Sequence, residues 1–130
     1  MNNLMVRITL EQVKNHSEDN MNKGILIDSE NETVSYVDVG DYQDIQKKVW
    51  PKGETTFGVI GRGTDVVYYD DEAYIRGVDP HGFVEWPSLY PHPLANNLLV
   101  VGTDMNTGDS ADVVTDIESV RAEIQFKKNY

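Results

Sequence analysis

Apolar residues in this chain recur mostly at every second position, the spacing of strands, and two stretches switch to the three-to-four spacing of helices. Leu4, Val6, Ile8 and Leu10 alternate as in a half-buried strand. Thr9 with Gln12 offers the same segment a helical capping box, so both readings stay open there. The stretch from residue 15 to residue 24 is polar and aperiodic, which makes residues 1–23 an N-terminal extension and residues 24–130 a single domain. Ile25 to Asp28, a turn over residues 29–32 containing Asn31, and the alternating Val34, Tyr36, Val37 and Val39 form a hairpin pattern.

Gly40 ends the hairpin, and Asp41 is placed to cap a helix over residues 42–49 whose Tyr42, Ile45 and Val49 share a face. Trp50-Pro51-Lys52-Gly53 stops that helix. Residues 55–60 and 64–69 are β-branched and aromatic, with Gly61-Arg62-Gly63 as a tight bend between them, and residues 73–78 read as a further strand. Residues 79–93 hold Pro80, Pro87, Pro91 and Pro93, a density that excludes a continuous helix or a central strand. Leu98 to Gly102 is an uninterrupted apolar run of buried-strand type, and residues 104–108 turn after it. Thr115 and Glu118 form a capping box ahead of a helix with Ile117, Val120 and Ile124 on one face and Lys127 and Lys128 at its C-terminal end. The expected class is α+β: a mainly antiparallel sheet with one or two helices packed on one face.

Charge narrows the function classes. Twenty-two Asp and Glu stand against eleven Lys and Arg, giving a formal charge of −11 and a sequence pI near 4.5. Phosphate contacts need clustered cations, and the only short clusters are Lys47-Lys48 and Lys127-Lys128, so direct binding to nucleic acid or an anionic membrane is not expected. A protein with a basic surface is the favoured partner, with a second copy of the chain left open. There is no cysteine, which removes disulfides, thiolate metal sites and thiol nucleophiles. No apolar run approaches the ~20 residues of a bilayer span, and Met1-Asn2-Asn3-Leu4 lacks a basic leader, so a cytoplasmic protein is expected.

The acids gather in two places. Asp38, Asp41 and Asp44 belong to a stretch free of Lys and Arg, and Asp109, Asp112 and Asp116 belong to a second stretch with Arg121 as its lone cation. Such faces imitate the phosphates of a nucleic acid in the basic groove of a partner, or they serve solubility alone. Between them lies an aromatic, proline-rich stretch whose Phe83, Trp86, Leu89 and Tyr90 form a candidate interaction loop, since rigid rings bury much area at small entropy cost. The alternative is that Trp86 and Tyr90 fold back onto the sheet.

Catalytic signals are thin. His81 and His92 with Asp79 and Glu85 offer imidazole and carboxylate donors in one segment, but their spacing matches no standard metal site. Asp104, Asn106 and Gly108 lack the ligand pattern of a calcium loop, and residues 58–63 carry no phosphate-loop signature. No serine lies in a Gly-x-Ser-x-Gly elbow. No metal, cofactor or catalytic residue is therefore assigned.

The order of elements, from Ile25-Leu26-Ile27-Asp28 through the hairpin to Val39, the helix after Asp41, the Asp70-Asp71-Glu72-Ala73 turn, and Leu99-Val100-Val101-Gly102 leading to residues 115–120, resembles domain-of-unknown-function family 3846. That family occurs in bacteriophages, plasmids and other mobile elements, so the resemblance, which covers about residues 24–126, implies a phage-type protein working in a bacterial cytoplasm. The N-terminal extension and the Pro-rich segment depart from it. The expectation is a non-enzymatic accessory protein that binds and modulates a host macromolecule. A small-ligand binder that meets a nucleotide-like phosphate with Arg62 or Arg76 is the alternative, and a metal-dependent enzyme using His81 or His92 is a second.

Overall fold

A computed structural model describes residues 21–129; the Leu4–Leu10 pattern and most of the N-terminal extension lie outside them. The first two strands, β1 (Asn22–Asp28) and β2 (Thr33–Val39), pair antiparallel from Asn22 opposite Val39 to Asp28 opposite Thr33. Their turn is held by Asp28, whose Oδ1 accepts from the amides of Glu30 and Asn31 and whose Oδ2 accepts from the Asn31 side chain. Helix α1 (Tyr42–Val49) follows with the expected cap, the Asp41 carboxylate accepting from the Asp44 amide at 3.1 Å. Strands β3 (Phe57–Arg62) and β4 (Asp65–Asp70) form a second hairpin, and Gly63, at φ +60°, makes its turn.

The short strands β5 (Phe83–Glu85) and β6 (Leu94–Ala95) come next, then β7 (Leu98–Thr103) and β8 (Ser110–Ala111). Helix α2 (Ile117–Glu123) and strand β9 (Gln125–Lys127) close the chain.

All strand pairs among the described residues are antiparallel. The main sheet runs β2-β1-β7-β4-β3, with β8 added to the end of β7, and a small sheet runs β9-β5-β6. Strand β7 is the centre of the main sheet, flanked by β1 (Ile25 opposite Val100) and β4 (Val67 opposite Val100). Its residues Leu98 to Val101 are fully buried because both faces of the sheet are covered, which explains an unbroken apolar run instead of an alternating one. Leu98 and Val100 join Ile25, Ile27, Val67, Val84, Trp86, Leu94, Ile117 and Val120 on one face. Leu99 and Val101 meet Val39, Ile45 and Val49 on the other. Burial of each such side chain stabilises the fold by about 1.5–3 kcal/mol. At the end of β7, a Cβ on Gly102 would lie 2.0 Å from the Asp112 carbonyl oxygen, so only glycine lets β8 approach there.

The α+β class with a mainly antiparallel sheet stands. The helices take opposite faces of the main sheet, α1 over the Leu99 side and α2, with the small sheet, over the Leu98 side, instead of sharing one. Residues 73–78 are turns and bends, because Arg76 is drawn back to Asp70 and breaks the extended path. The Pro-rich segment does hold a central strand: β5 lies between β9 and β6 in the small sheet, over three residues that contain no proline.

Helix α2 starts one residue later than the capping box predicts, with Asp116 as N-cap and no side-chain cap bond. The Thr115 hydroxyl instead donates to buried Asp65, which also accepts from the amides of Val114 and Thr115. Lys127 belongs to β9, not to the end of the helix.

Candidate functional site

The residues just before the apolar run of β7 are Asn96 and Asn97, 1% and 3% exposed. Buried amides require partners, and here they tie together five separate stretches of chain. Asn96 adopts φ +67°, the left-handed region that asparagine tolerates better than most residues. Its Oδ1 accepts from the His81 amide at 2.9 Å, its Nδ2 donates to Asp70 Oδ2 at 2.8 Å, and its own amide donates to the Gly82 carbonyl. Asn97 Oδ1 accepts from the Ser29 amide at 3.2 Å, and its Nδ2 donates to the Lys48 carbonyl at 2.9 Å, which fixes the side chain's orientation.

His81 Nε2 lies 3.0 Å from the same Asn97 oxygen and is therefore the protonated nitrogen. Nδ1 is buried with no hydrogen-bond partner among the described residues, 3.9 Å from Glu30 Oε1. The His81 ring stacks on Trp50 at 5.7 Å.

Asp70, at the end of β4, is the hub of this knot. Its fully buried carboxylate accepts from both terminal nitrogens of Arg76 at 2.9 and 2.8 Å, together with Thr55 Oγ1, Asn96 Nδ2 and the Glu72 amide. Burial would raise its pKa; the bonds from Arg76, Thr55 and Asn96 outweigh that and hold it below the ordinary value of 3.8. Arg76 is held further by Thr55 and by the face of Trp50, 4.3 Å from its guanidinium carbon. A carboxylate carrying five donors has no lone pair left for base chemistry, and Ser29, whose hydroxyl has no partner among the described residues, is fully buried. A Cβ on Gly82 would come within 2.7 Å of the Ser29 carbonyl oxygen, so that approach is sealed. The bonds of this knot position the segments they join.

What it positions is the loop over residues 71–78. Within it Ala73 is buried, and Tyr74, Ile75 and Val78 stand 72%, 79% and 55% exposed. Beside the loop lies a groove of about 360 Å³ between Tyr69, Asp71, Tyr74, Tyr90, His92 and Pro93, in which the Tyr90 and His92 rings meet edge-on at 5.9 Å.

The candidate interaction loop is divided by the structure. Phe83 is buried and packs with Ala73 and Ala95. Trp86 is 1% exposed and donates to Glu123 Oε1 at 2.9 Å, and Leu89 packs against the core, so these three side chains serve the fold instead of anchoring a partner. Of the four, only Tyr90 is exposed, and Leu89 is partly buried. The bond from Trp86, followed by that from Ser88, keeps the Glu123 carboxyl below its ordinary pKa of 4.5 against the effect of burial.

The acidic candidates divide as well. Asp41 caps α1, Asp44 binds Lys48 Nζ and the Gly40 amide, and Asp112 accepts from the Lys23 amide, so these three carry structural bonds. Asp38, Asp109 and Asp116 are exposed, in three separate elements or turns.

Both arginines considered for a phosphate are engaged internally: Arg76 by Asp70, and Arg62 by Glu123 at 3.2 Å and by the Trp86 ring. His92 touches Tyr90 while His81 is held at Asn97, and among the described residues no three His, Asp or Glu side chains gather as a metal site would require. No helix among them is long and apolar enough to cross a membrane. The sequence reading missed Tyr74, Ile75 and Val78 as surface groups because their apolar spacing imitates a strand. The Asp70–Arg76 pair was also missed, although a single arginine in an acidic stretch was a usable signal. Comparison of the chain with protein-family models, with curated proteins and with solved structures finds no match.

Proposed function

We propose that this chain is a non-enzymatic accessory protein of a phage or other mobile element that binds a host protein, with the 71–78 loop as its contact surface. The observation that carries the reading is an apolar group, Tyr74, Ile75 and Val78, displayed in solvent on a loop that a buried ion pair holds in place. Isolated apolar side chains on a surface are ordinary. Three of them on one immobilised loop are a preformed hydrophobic anchor, because the entropy of ordering is spent during folding and not during association. Asp71, Glu72 and Asp79 surround the anchor, which favours a partner whose apolar cleft has a basic rim. The mobile-element context rests on the resemblance described from the sequence.

The test compares the wild-type chain with Ile75→Asp as affinity baits in bacterial lysate, followed by direct titration with the purified candidate. The reading expects a protein that binds the wild type, loses at least about tenfold in affinity for the variant, and weakens as salt rises. Because Ile75 is exposed, the variant's unfolding midpoint should match the wild type's. Equal binding by both baits would refute the assignment of the surface.

A further inference from the structure

The groove beside the loop has a more specific chemistry than the loop itself. It is lined by Tyr69, Tyr74, Tyr90 and His92, with Pro93, Leu94 and Ala95 beside them, and its carboxylates are Asp70 and Asp71. Asp70 is neutralised by Arg76, so Asp71 supplies the remaining charge, and among the described residues no Lys or Arg lines the space. Asp71 is exposed and accepts from the Thr56 hydroxyl through Oδ1, which steadies the carboxylate at the rim. Tyrosine rings beside a carboxylate make a poor site for a phosphate and a good one for an organic cation, which gains ring-quadrupole attraction and an ion pair together.

We propose that this groove receives a cationic side chain, an arginine or lysine, from the protein that the 71–78 loop contacts. The proposal rests on the reading of that loop as a contact surface, and it adds what the partner must present: a cation next to the apolar cleft that takes Tyr74 and Ile75. The volume of about 360 Å³ suits one long side chain, and the overall charge of −11 attracts it.

The test needs no partner. Nα-acetyl-arginine methylamide and Nα-acetyl-lysine methylamide are titrated into the full chain near neutral pH while the ring signals of Tyr69, Tyr74, Tyr90 and His92 are followed by NMR. Nα-acetyl-norleucine methylamide and inorganic phosphate serve as controls. Saturable shifts at those rings with a cationic probe are expected. Asp71→Asn should weaken binding about two- to fivefold, Tyr74→Leu by a similar factor, and raised salt should weaken it further.

The Asp71→Asn side chain retains an oxygen to accept from Thr56, and Tyr74 is exposed, so both variants should fold as the wild type does. Shifts of equal size with norleucine, shifts with phosphate alone, or no shift at these rings would each overturn the proposal. A failure of this kind alongside a surviving loss of affinity in Ile75→Asp removes the cation site and leaves the loop reading in place.

Discussion

Residues 96–97 and residues 98–101 are consecutive, almost equally buried and chemically opposite. Leu98 to Val101 satisfy the interior by area alone, meeting whatever apolar groups the two faces of the sheet bring. Asn96 and Asn97 satisfy it only through particular partners, on Ser29, Lys48, Asp70, His81 and Gly82. An apolar run specifies that a strand is central. The amide pair specifies which loops stand at its end and in what geometry, and those loops form the candidate site. Stability and positioning are therefore assigned to adjacent parts of one strand and its lead-in.

The contrast breaks most visibly at Asp70. Asp70→Ala leaves the Arg76 charge and the Asn96 amide without their acceptor in a largely buried setting, and an expected loss of about 3–5 kcal/mol should appear in urea unfolding. Leu99→Ala removes a fully buried side chain and should cost a comparable ~2–5 kcal/mol by the same measurement. The two differ in proteolysis. Limited digestion of Asp70→Ala should cut within residues 71–78 before global unfolding, whereas Leu99→Ala should lose resistance throughout. If both variants are cut alike, the polar pair has no special hold on the loop.

A smaller effect separates conformation from hydrogen bonding at Asn96. Asn96→Gly keeps the left-handed backbone accessible and removes the side-chain bonds to His81 and Asp70, for an expected cost of about 1–3 kcal/mol. Asn96→Ala adds the penalty of a left-handed non-glycine residue, roughly 1–2 kcal/mol more. Equal unfolding midpoints for the two variants would show that the backbone conformation carries no cost there.

The smallest expected effect is on pH dependence. Asp70 has its pKa below 3.8 when folded, so the stability it contributes is complete above that value and is lost as pH falls through the lower folded value. Asp70→Asn, which does not titrate, should flatten the fall in unfolding free energy measured from about pH 5 to about pH 2.5. Asp28, Asp44 and Glu123 are also depressed, so part of the slope should survive. An unchanged slope would count against the Arg76 pairing.

The same contrast explains what could be read from the chain. Both hairpins, α1 with its Asp41 cap, and the central run of β7 follow from spacing and local chemistry, which neighbouring residues encode. The site does not, because its parts, at positions 55, 70, 76, 81 and 96–97, are scattered along the chain and only the fold brings them together. Aromatic density at Phe83 and Trp86 suggests a surface anchor as readily as a core. Which one it became was decided by the small sheet and α2 closing over the Leu98 face, an arrangement no local pattern announces. Residues 73–78 carry strand-like spacing, and a single arginine six positions from Asp70 overrides it.

The central place of β7 has a consequence for how the molecule comes into being. The hairpins β1–β2 and β3–β4 are made early and close locally, yet neither pairs with the other in the finished sheet. The strand that welds them lies beyond residue 97, so a chain that has not yet reached it lacks the neighbour that covers the β1 and β4 edges in the finished sheet. Joining the two hairpins in one sheet must therefore await that strand, through pairings distant in sequence.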